Sequence, residues 1–451
     1  MKRGVPVFQR KGLLRLSWPL LVVTVFTLLA TLGNVVLLSL ASPELNAAVA
    51  TANQLLGVVY DLSVIFSIGA LVVIAQLLGA GALADAQRSS IVVLRASMVL
   101  GVAMAAGVAV LAPLLVRWIN TPAEIADDAV SYLWVVCGGL FFNAYIVAAS
   151  AVLRAYGRTV ALLVLGVVVN LLDVALLAFF LLVLEWGPVG AAMPTLLVRG
   201  VGMLLLWGLV RRVTGARVLS PLPPRDPAID GGPWRMATLS LPSVVENAAY
   251  NGAIVATVSL INMLGTDTIN ARSYALTLTA LVTGVILALA QGNETIVGWD
   301  VGERDVAHAR RQTVRTAAGT ALASAVLAAL LWLGADAALS VFGPNAQVVA
   351  GAREALAISI VLLPLSAITA VVYGALRSSG DVVVPMIYSV ASSALLLVPA
   401  SWLFISQLGL GLAGAFWALA AAEGVKAALL LGRLLRGRWA SRPSVLRSAS
   451  Q

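Results

Sequence analysis

Twelve stretches of this sequence, at roughly residues 14–40, 46–78, 89–116, 127–152, 159–184, 188–211, 234–263, 268–297, 313–333, 350–376, 382–405 and 410–435, are each apolar for the ~20 residues that a helix needs to cross a lipid core. No other feature narrows the possible folds as far. The hydrocarbon interior offers no water to backbone N–H and C=O groups, so such a stretch must close its own hydrogen bonds, as a helix does. Composition agrees. The chain is 61% hydrophobic and 11% charged, whereas a soluble domain is about half apolar and about a quarter charged. The expected fold class is an all-α integral membrane protein with twelve transmembrane helices. The first stretch, MKRGVPVFQRKGLLRLSWPLLVV, starts like a signal peptide. Its apolar run is too long for a signal h-region and reads as a retained first helix.

The basic residues orient the spans. With the N-terminus inside, 23 of the 29 Lys and Arg fall in tails, loops and span ends on that side. Two, Arg117 and Arg353, fall at the other, while Arg95, Arg199, Arg272 and Lys426 lie further inside spans. Positive charge collects on the cytoplasmic side, so a multi-pass protein of the cell (inner) membrane with both termini cytoplasmic is expected. The net charge of +9 belongs to these loops and does not point to nucleic acid. The stretch VTGARVLSPLPPRDPAIDGG, 213–232, carries four prolines and three glycines, which stop a helix. It divides the chain into an N-lobe over 1–212, a cytoplasmic linker over 213–232, and a C-lobe over 233–451 that ends in a short basic tail.

The halves repeat. LSWP at 16–19 matches LSLP at 239–242, and GAGALADAQR from Gly79 matches GERDVAHARR from Gly302. LRAYG at 153–157 matches LRSSG at 376–380, all three at an offset of 223. GPVGAA at 187–192 matches GLAGAF at 411–416 at 224. Six spans per copy is an even number, so the copies are parallel, related by a pseudo-twofold axis along the membrane normal. Two six-helix bundles around a central cleft, opening to one side at a time, are the expected architecture.

Several function classes are excluded. Cys137 is the only cysteine and His308 the only histidine, so the chain has neither an internal disulfide nor a His/Cys metal set. No phosphate-binding GxxxxGK[ST] motif and no nucleophile–base spacing occurs. The chain is expected not to be an enzyme, to use no cofactor, and to draw energy from an ion gradient.

The stretches AQLLGAGALADAQR, VLRAYGRT and GPVGAA in the first half, and LPSVVENAAYN, GNETIVGWDVGERDVAHARR, GALRSSGDVVVP and GLGLAGAFWALAAAEGVK in the second, resemble the multidrug and toxic compound extrusion (MATE) family of cation-coupled antiporters. The resemblance covers nearly the whole chain. It implies efflux of amphiphilic organic cations driven by inward H⁺ or Na⁺, with ion and substrate sites inside the lobes. A monomer is expected. A flippase of lipid-linked saccharides, from the wider superfamily, is the alternative reading.

Few ionisable residues lie deep in the spans. Asp61, Asp173 and Glu246 sit about 22, 21 and 18 Å into spans 2, 5 and 7 at ~1.5 Å per residue. Such residues face a bundle interior or a wet cavity and are candidates for function. Glu246 is the first candidate for cation coupling. A carboxylate that gains and loses a proton competes with a bound cation, and that competition is the minimum chemistry of an H⁺/cation antiporter. Pro242, four residues earlier, frees a carbonyl and offers a hinge, as does Pro19 in span 1. Tyr250 and Asn251 add polar groups on neighbouring turns.

In the first lobe the candidates are Asp173 and Asp61, with Asn34, Asn170 and Arg199 as polar lining. Here the sequence departs from the family. The position fifteen residues after the span-1 proline, often Asp in relatives, is Asn34, which does not titrate. The second frequent acid position, thirteen residues before Gly190, is Leu177, and Asp173 stands one turn earlier. A buried ion pair between Asp173 and Arg199 is the competing structural reading. Span 10 lacks an acid beyond its outer end, which favours H⁺ over Na⁺. Glu294, near the inner end of span 8, reads as snorkelling or capping. Glu423 and Lys426, an i,i+3 pair, read as structural. Arg95 and Arg272 read as snorkelling to an interface. Trp18, Trp118, Trp186, Trp234 and Trp439 read as interface residues. Phe141, Phe142 and Tyr145 serve equally as cleft lining or as packing.

Overall fold

The computed structural model describes residues 10–118, 123–215, 232–340 and 345–437, with Val218, Leu222 and Trp439. Twelve helices are long and apolar enough to cross a membrane. They are α1 (Leu13–Ala41), α2 (Ala48–Gly79), α3 (Leu83–Trp118), α4 (Ala126–Ala155), α5 (Thr159–Val183), α6 (Gly187–Thr214), α7 (Pro233–Asn262), α8 (Thr266–Gly302), α9 (Val306–Leu333), α10 (Ala346–Ser378), α11 (Val383–Gln407) and α12 (Gly411–Leu435). The all-α, twelve-span fold read from hydropathy is the fold observed. Most of the 213–232 linker and of the basic C-terminal tail lies outside the described residues.

Helix starts follow local chemistry. The helix that runs into α2 begins behind Ser42, whose Oγ accepts from the Leu45 N–H at 3.2 Å, and Pro43 takes a first-turn position where no donor is needed. α2 is not continuous. It ends at Leu62, turns through Ser63–Phe66 and resumes at Ser67. α9 begins behind Asp305, whose Oδ1 accepts from the His308 N–H at 2.9 Å.

The chain divides into two compact units. Residues 18–240, with Arg10 and Lys11, form one. Residues 12–17 and 241 onward form the other. In the first unit α4 is the central helix, packed on α2, α3 and α6. Leu133, Val136 and Leu140 on it are fully buried. In the second unit α10 has that place, packed on α8, α9 and α12. Its buried face is rich in alanine, including Ala352, Ala355 and Ala367, and small residues let membrane helices approach closely. Large apolar side chains such as Leu29, Leu40, Val110, Leu204 and Leu395 stay exposed, as hydrocarbon permits.

The dividing points at 17/18 and 240/241 fall inside helices, within the LSWP and LSLP motifs. In the first unit the Gly69 N–H donates to Ser240 Oγ at 2.7 Å, and a Cβ on Gly69 would strike the Met236 carbonyl. In the second unit a Cβ on Gly292 would strike Ser17 Oγ. Ser17 and Ser240, like Gly69 and Gly292, are 223 residues apart. The same serine-on-glycine contact is therefore built twice.

The repeat extends to irregular backbone. α5 closes in a π-helical turn over Phe179–Val183 and α11 in one over Leu403–Gln407. Gly190 and Gly414 follow at the same spacing, and a Cβ on either would come to 3.0 Å from the Phe180 or Phe404 carbonyl oxygen. GPVGAA and GLAGAF match because both must open a helix against that turn. A second π segment, Ser392–Leu397, belongs to α11 alone among the described residues.

Candidate functional site

The second unit encloses a cavity of about 650 Å³. α7 lines it with Glu246 and Tyr250, one turn apart on one face, and with Asn251 beside them. α8 contributes Arg272 and Glu294, α10 contributes Tyr373 and Arg377, and α12 contributes Glu423 and Lys426. Most of the remaining wall is apolar.

The charges are sorted by pairing. Glu294 is 2% exposed, and its Oε1 accepts from Arg377 Nε at 2.8 Å. Its carbonyl accepts from Ser378 Oγ at 2.7 Å. Lys426 Nζ donates to Glu423 Oε1 at 2.6 Å, with both side chains nearly buried. Lys426 also lies 5.2 Å from the centre of the Tyr250 ring, and Arg377 lies 5.7 Å from that of Tyr373. Two acids and two bases of the cavity are thereby neutralised. Glu246 differs. Its Oε1 accepts from the neutral Ser389 Oγ at 2.7 Å, and among the described residues no ion pair involves it.

The first unit carries a polar cluster without a comparable excess of acid. Asn34 Nδ2 donates to Asp173 Oδ2 at 2.7 Å, while Asn34 Oδ1 is buried without a partner. Asn170 Nδ2 donates to Thr27 Oγ1 at 3.1 Å and to the Gly166 carbonyl at 2.8 Å. Tyr132 OH donates to Asn53 Oδ1 at 3.3 Å, and Asn143 Nδ2 donates to Ser63 Oγ at 3.2 Å, on the turn that interrupts α2. The Arg199 guanidinium lies 4.5 Å from the centre of the Tyr60 ring.

Several expectations meet their outcome here. Asn34 and Asp173 are brought together, as are Glu246 and Tyr250. Asp61, at the end of the first piece of α2, shares no hydrogen bond with Asp173 or Asn34. The ion pair of Asp173 with Arg199 does not form among the described residues, because Arg199 turns to Tyr60 instead. Glu294 neither snorkels nor caps. α8 extends to Gly302, so this residue lies more than two turns inside the helix and reaches Arg377. Arg272 lines the cavity rather than only an interface. Trp439 is 2% exposed and donates to the Leu434 carbonyl at 2.8 Å, closing the end of α12. Tyr145 is 1% exposed and packs in the core. Pro19 and Pro242 lie within α1 and α7, which continue through them. Sequence reasoning missed Ser389 and Arg377. A serine in an apolar helix gave little signal for the first. For the second, the repeat offered one, since LRSSG sets Arg377 opposite Arg154 of LRAYG.

The MatE family model matches residues 19–179 and, a second time, residues 242–403, one match in each repeat. The chain belongs to the MatE family. This is a family of membrane transporters, so the protein is a multi-pass transporter and not an enzyme. The chain is 25% identical to an uncharacterized transporter, YisQ, of Bacillus subtilis over 97% of this chain and 95% of that one. It is 28% identical to the probable multidrug resistance protein NorM of Deinococcus radiodurans over 95% of each. Among solved structures, an outward-facing multidrug resistance MATE transporter superposes with a TM-score of 0.85 at 22% identity, over 94% of both chains. A transporter from Pyrococcus furiosus, described as having a binding pocket of reverse polarity, superposes with a TM-score of 0.85 at 22% identity over 96% of both. These two share the fold.

Proposed function

We propose that this MatE protein is a secondary exporter of amphiphilic, cationic organic compounds, exchanging them for H⁺ across the cell membrane, as a monomer with both termini in the cytoplasm. The observation that carries the reading is Glu246. It is the one acid of the cavity wall held by a neutral hydroxyl, Ser389, while Glu294 and Glu423 are each tied to a base. Ionised, it attracts a cation into a low-dielectric site. Protonated from the outside, it releases that cation. Asp173, bonded to the amide of Asn34, offers the first unit a similar proton site. Relatives named as probable multidrug resistance proteins support the export of drugs. The flippase reading gains nothing from this cavity, which holds as many acids as bases.

The test is ethidium uptake into inside-out vesicles under an imposed pH gradient, interior acid, or an imposed Na⁺ gradient. Uptake driven by the pH gradient in the wild type and lost in Glu246→Gln is expected. Uptake that survives in the variant moves coupling to Asp173. Na⁺-driven uptake overturns the choice of ion, and no uptake under either gradient overturns the exporter reading.

A further inference from the structure

The cavity holds a second charge that pairing leaves over. Arg272 lies on α8 six residues from its start, and among the described residues no ion pair or hydrogen bond engages its guanidinium. The acids at that end of the unit are occupied or turned outward. Asp267 accepts from Asn345 Nδ2 at 3.1 Å, Asp336 pairs with Arg353 at 2.6 Å, and Glu354 is exposed. Nor does the repeat call for a base here. The residue 223 positions earlier is Val49, whereas Arg377 has its counterpart in Arg154. Glu246 is unrepeated too, with Val23 at its equivalent position. A guanidinium inside a span is costly unless it is paired or reaches a wet cavity, and Arg272 reaches the cavity.

Glu246 and Arg272 are separated along the cavity. Glu246 is 16 residues from the outer end of α7, and Arg272 is six from the adjoining start of α8. At ~1.5 Å per residue their levels differ by about 15 Å, a gap that the two side chains partly close. Between those levels the wall carries Ile254, Leu276 and the Tyr250 ring, with Asn251 and Thr279 as its polar groups.

We propose that Arg272 is a specificity-determining residue, and that the preferred occupants of this cavity are amphoteric: an amine or other cation toward Glu246, an apolar aromatic body, and a carboxylate toward Arg272. The inference rests on the reading that the cavity holds the exported molecule, and it names the class of that molecule. A guanidinium binds a carboxylate through two parallel hydrogen bonds, which gives direction as well as charge. One acid without a basic partner and one base without an acidic partner, at different levels, suit an inner salt better than a simple cation.

The test uses two xanthene dyes of nearly one shape. Rhodamine 110 carries a free carboxylate and is zwitterionic; rhodamine 123 is its methyl ester and is a cation. Binding to the purified protein in lipid nanodiscs is read by fluorescence anisotropy, which needs no ion gradient. In Arg272→Gln, rhodamine 110 affinity is expected to fall at least about tenfold more than rhodamine 123 affinity, the loss of a charge-assisted hydrogen bond. Arg272→Lys should recover part of it, and Glu246→Gln should weaken both dyes. Equal loss of the two dyes in Arg272→Gln, no loss of either, or no binding of rhodamine 110 to the wild type would overturn the proposal. Because the assay reads binding alone, absence of gradient-driven ethidium uptake would sink the exporter reading without deciding this one.

Discussion

Single residues here differ mainly in what they are left to pair with. Ser389 donates the hydrogen bond that the cavity gives Glu246. Ser389→Ala should lower pH-gradient-driven ethidium uptake several-fold, because the Glu246 carboxylate loses the hydrogen bond that orients it. Uptake rates in inside-out vesicles, at matched protein content, check this. Lys426 and Glu423 form a buried pair, so Lys426→Met strands a carboxylate. The expected cost is about 3 kcal/mol in stability, with partial recovery in the double variant Lys426→Met/Glu423→Gln, measured by thermal unfolding in detergent. Arg304 stands at φ 65°, and its counterpart in the first repeat is Gly81 at φ 76°. Arg304→Gly should stabilise the protein by about 1 kcal/mol, since a side chain is strained in the left-handed region. The same comparison of repeats, available in the sequence, marks this turn as a place where glycine is the unstrained choice.

At the scale of elements, turns and helix starts were legible and helix faces were not. The matched GPVGAA and GLAGAF segments gave away two equivalent turns, but not the π-helical geometry before them, which depends on carbonyls meeting Gly190 and Gly414 from the preceding helix. Gly414→Val should therefore cost about 2 kcal/mol or more in stability by forcing the end of α11 away from α12. The melting temperature measures it, and an unchanged value would contradict the close approach. The length of α8 explains why Glu294 was misread. A run cut at the width of a bilayer ends near residue 297, whereas the helix continues to Gly302 and carries Glu294 against α10. Hydropathy reports where a helix meets lipid headgroups and does not report where it stops.

For the whole molecule, orientation is the statement to test. In a Cys137→Ser background, a cysteine at Glu303 between α8 and α9 should react with a membrane-impermeant maleimide in inside-out vesicles and not in intact cells. A cysteine at Gly265 between α7 and α8 should show the reverse. The opposite pattern would invert the topology inferred from 23 of 29 basic residues. The sequence by itself determined the number of spans, their expected sidedness and the duplication. Each depends on local quantities: the length of an apolar run, the charge of a loop, and the glycine or proline that a turn demands. Only the tertiary structure decided which charges meet. Arg199 rests on Tyr60 instead of Asp173, Glu294 takes Arg377, and Glu246 and Arg272 are left to face the cavity. Depth along a helix can be counted from the sequence, but rotation about its axis is set by packing against other helices, and a turn of the axis moves a charge from a partner to an open wall.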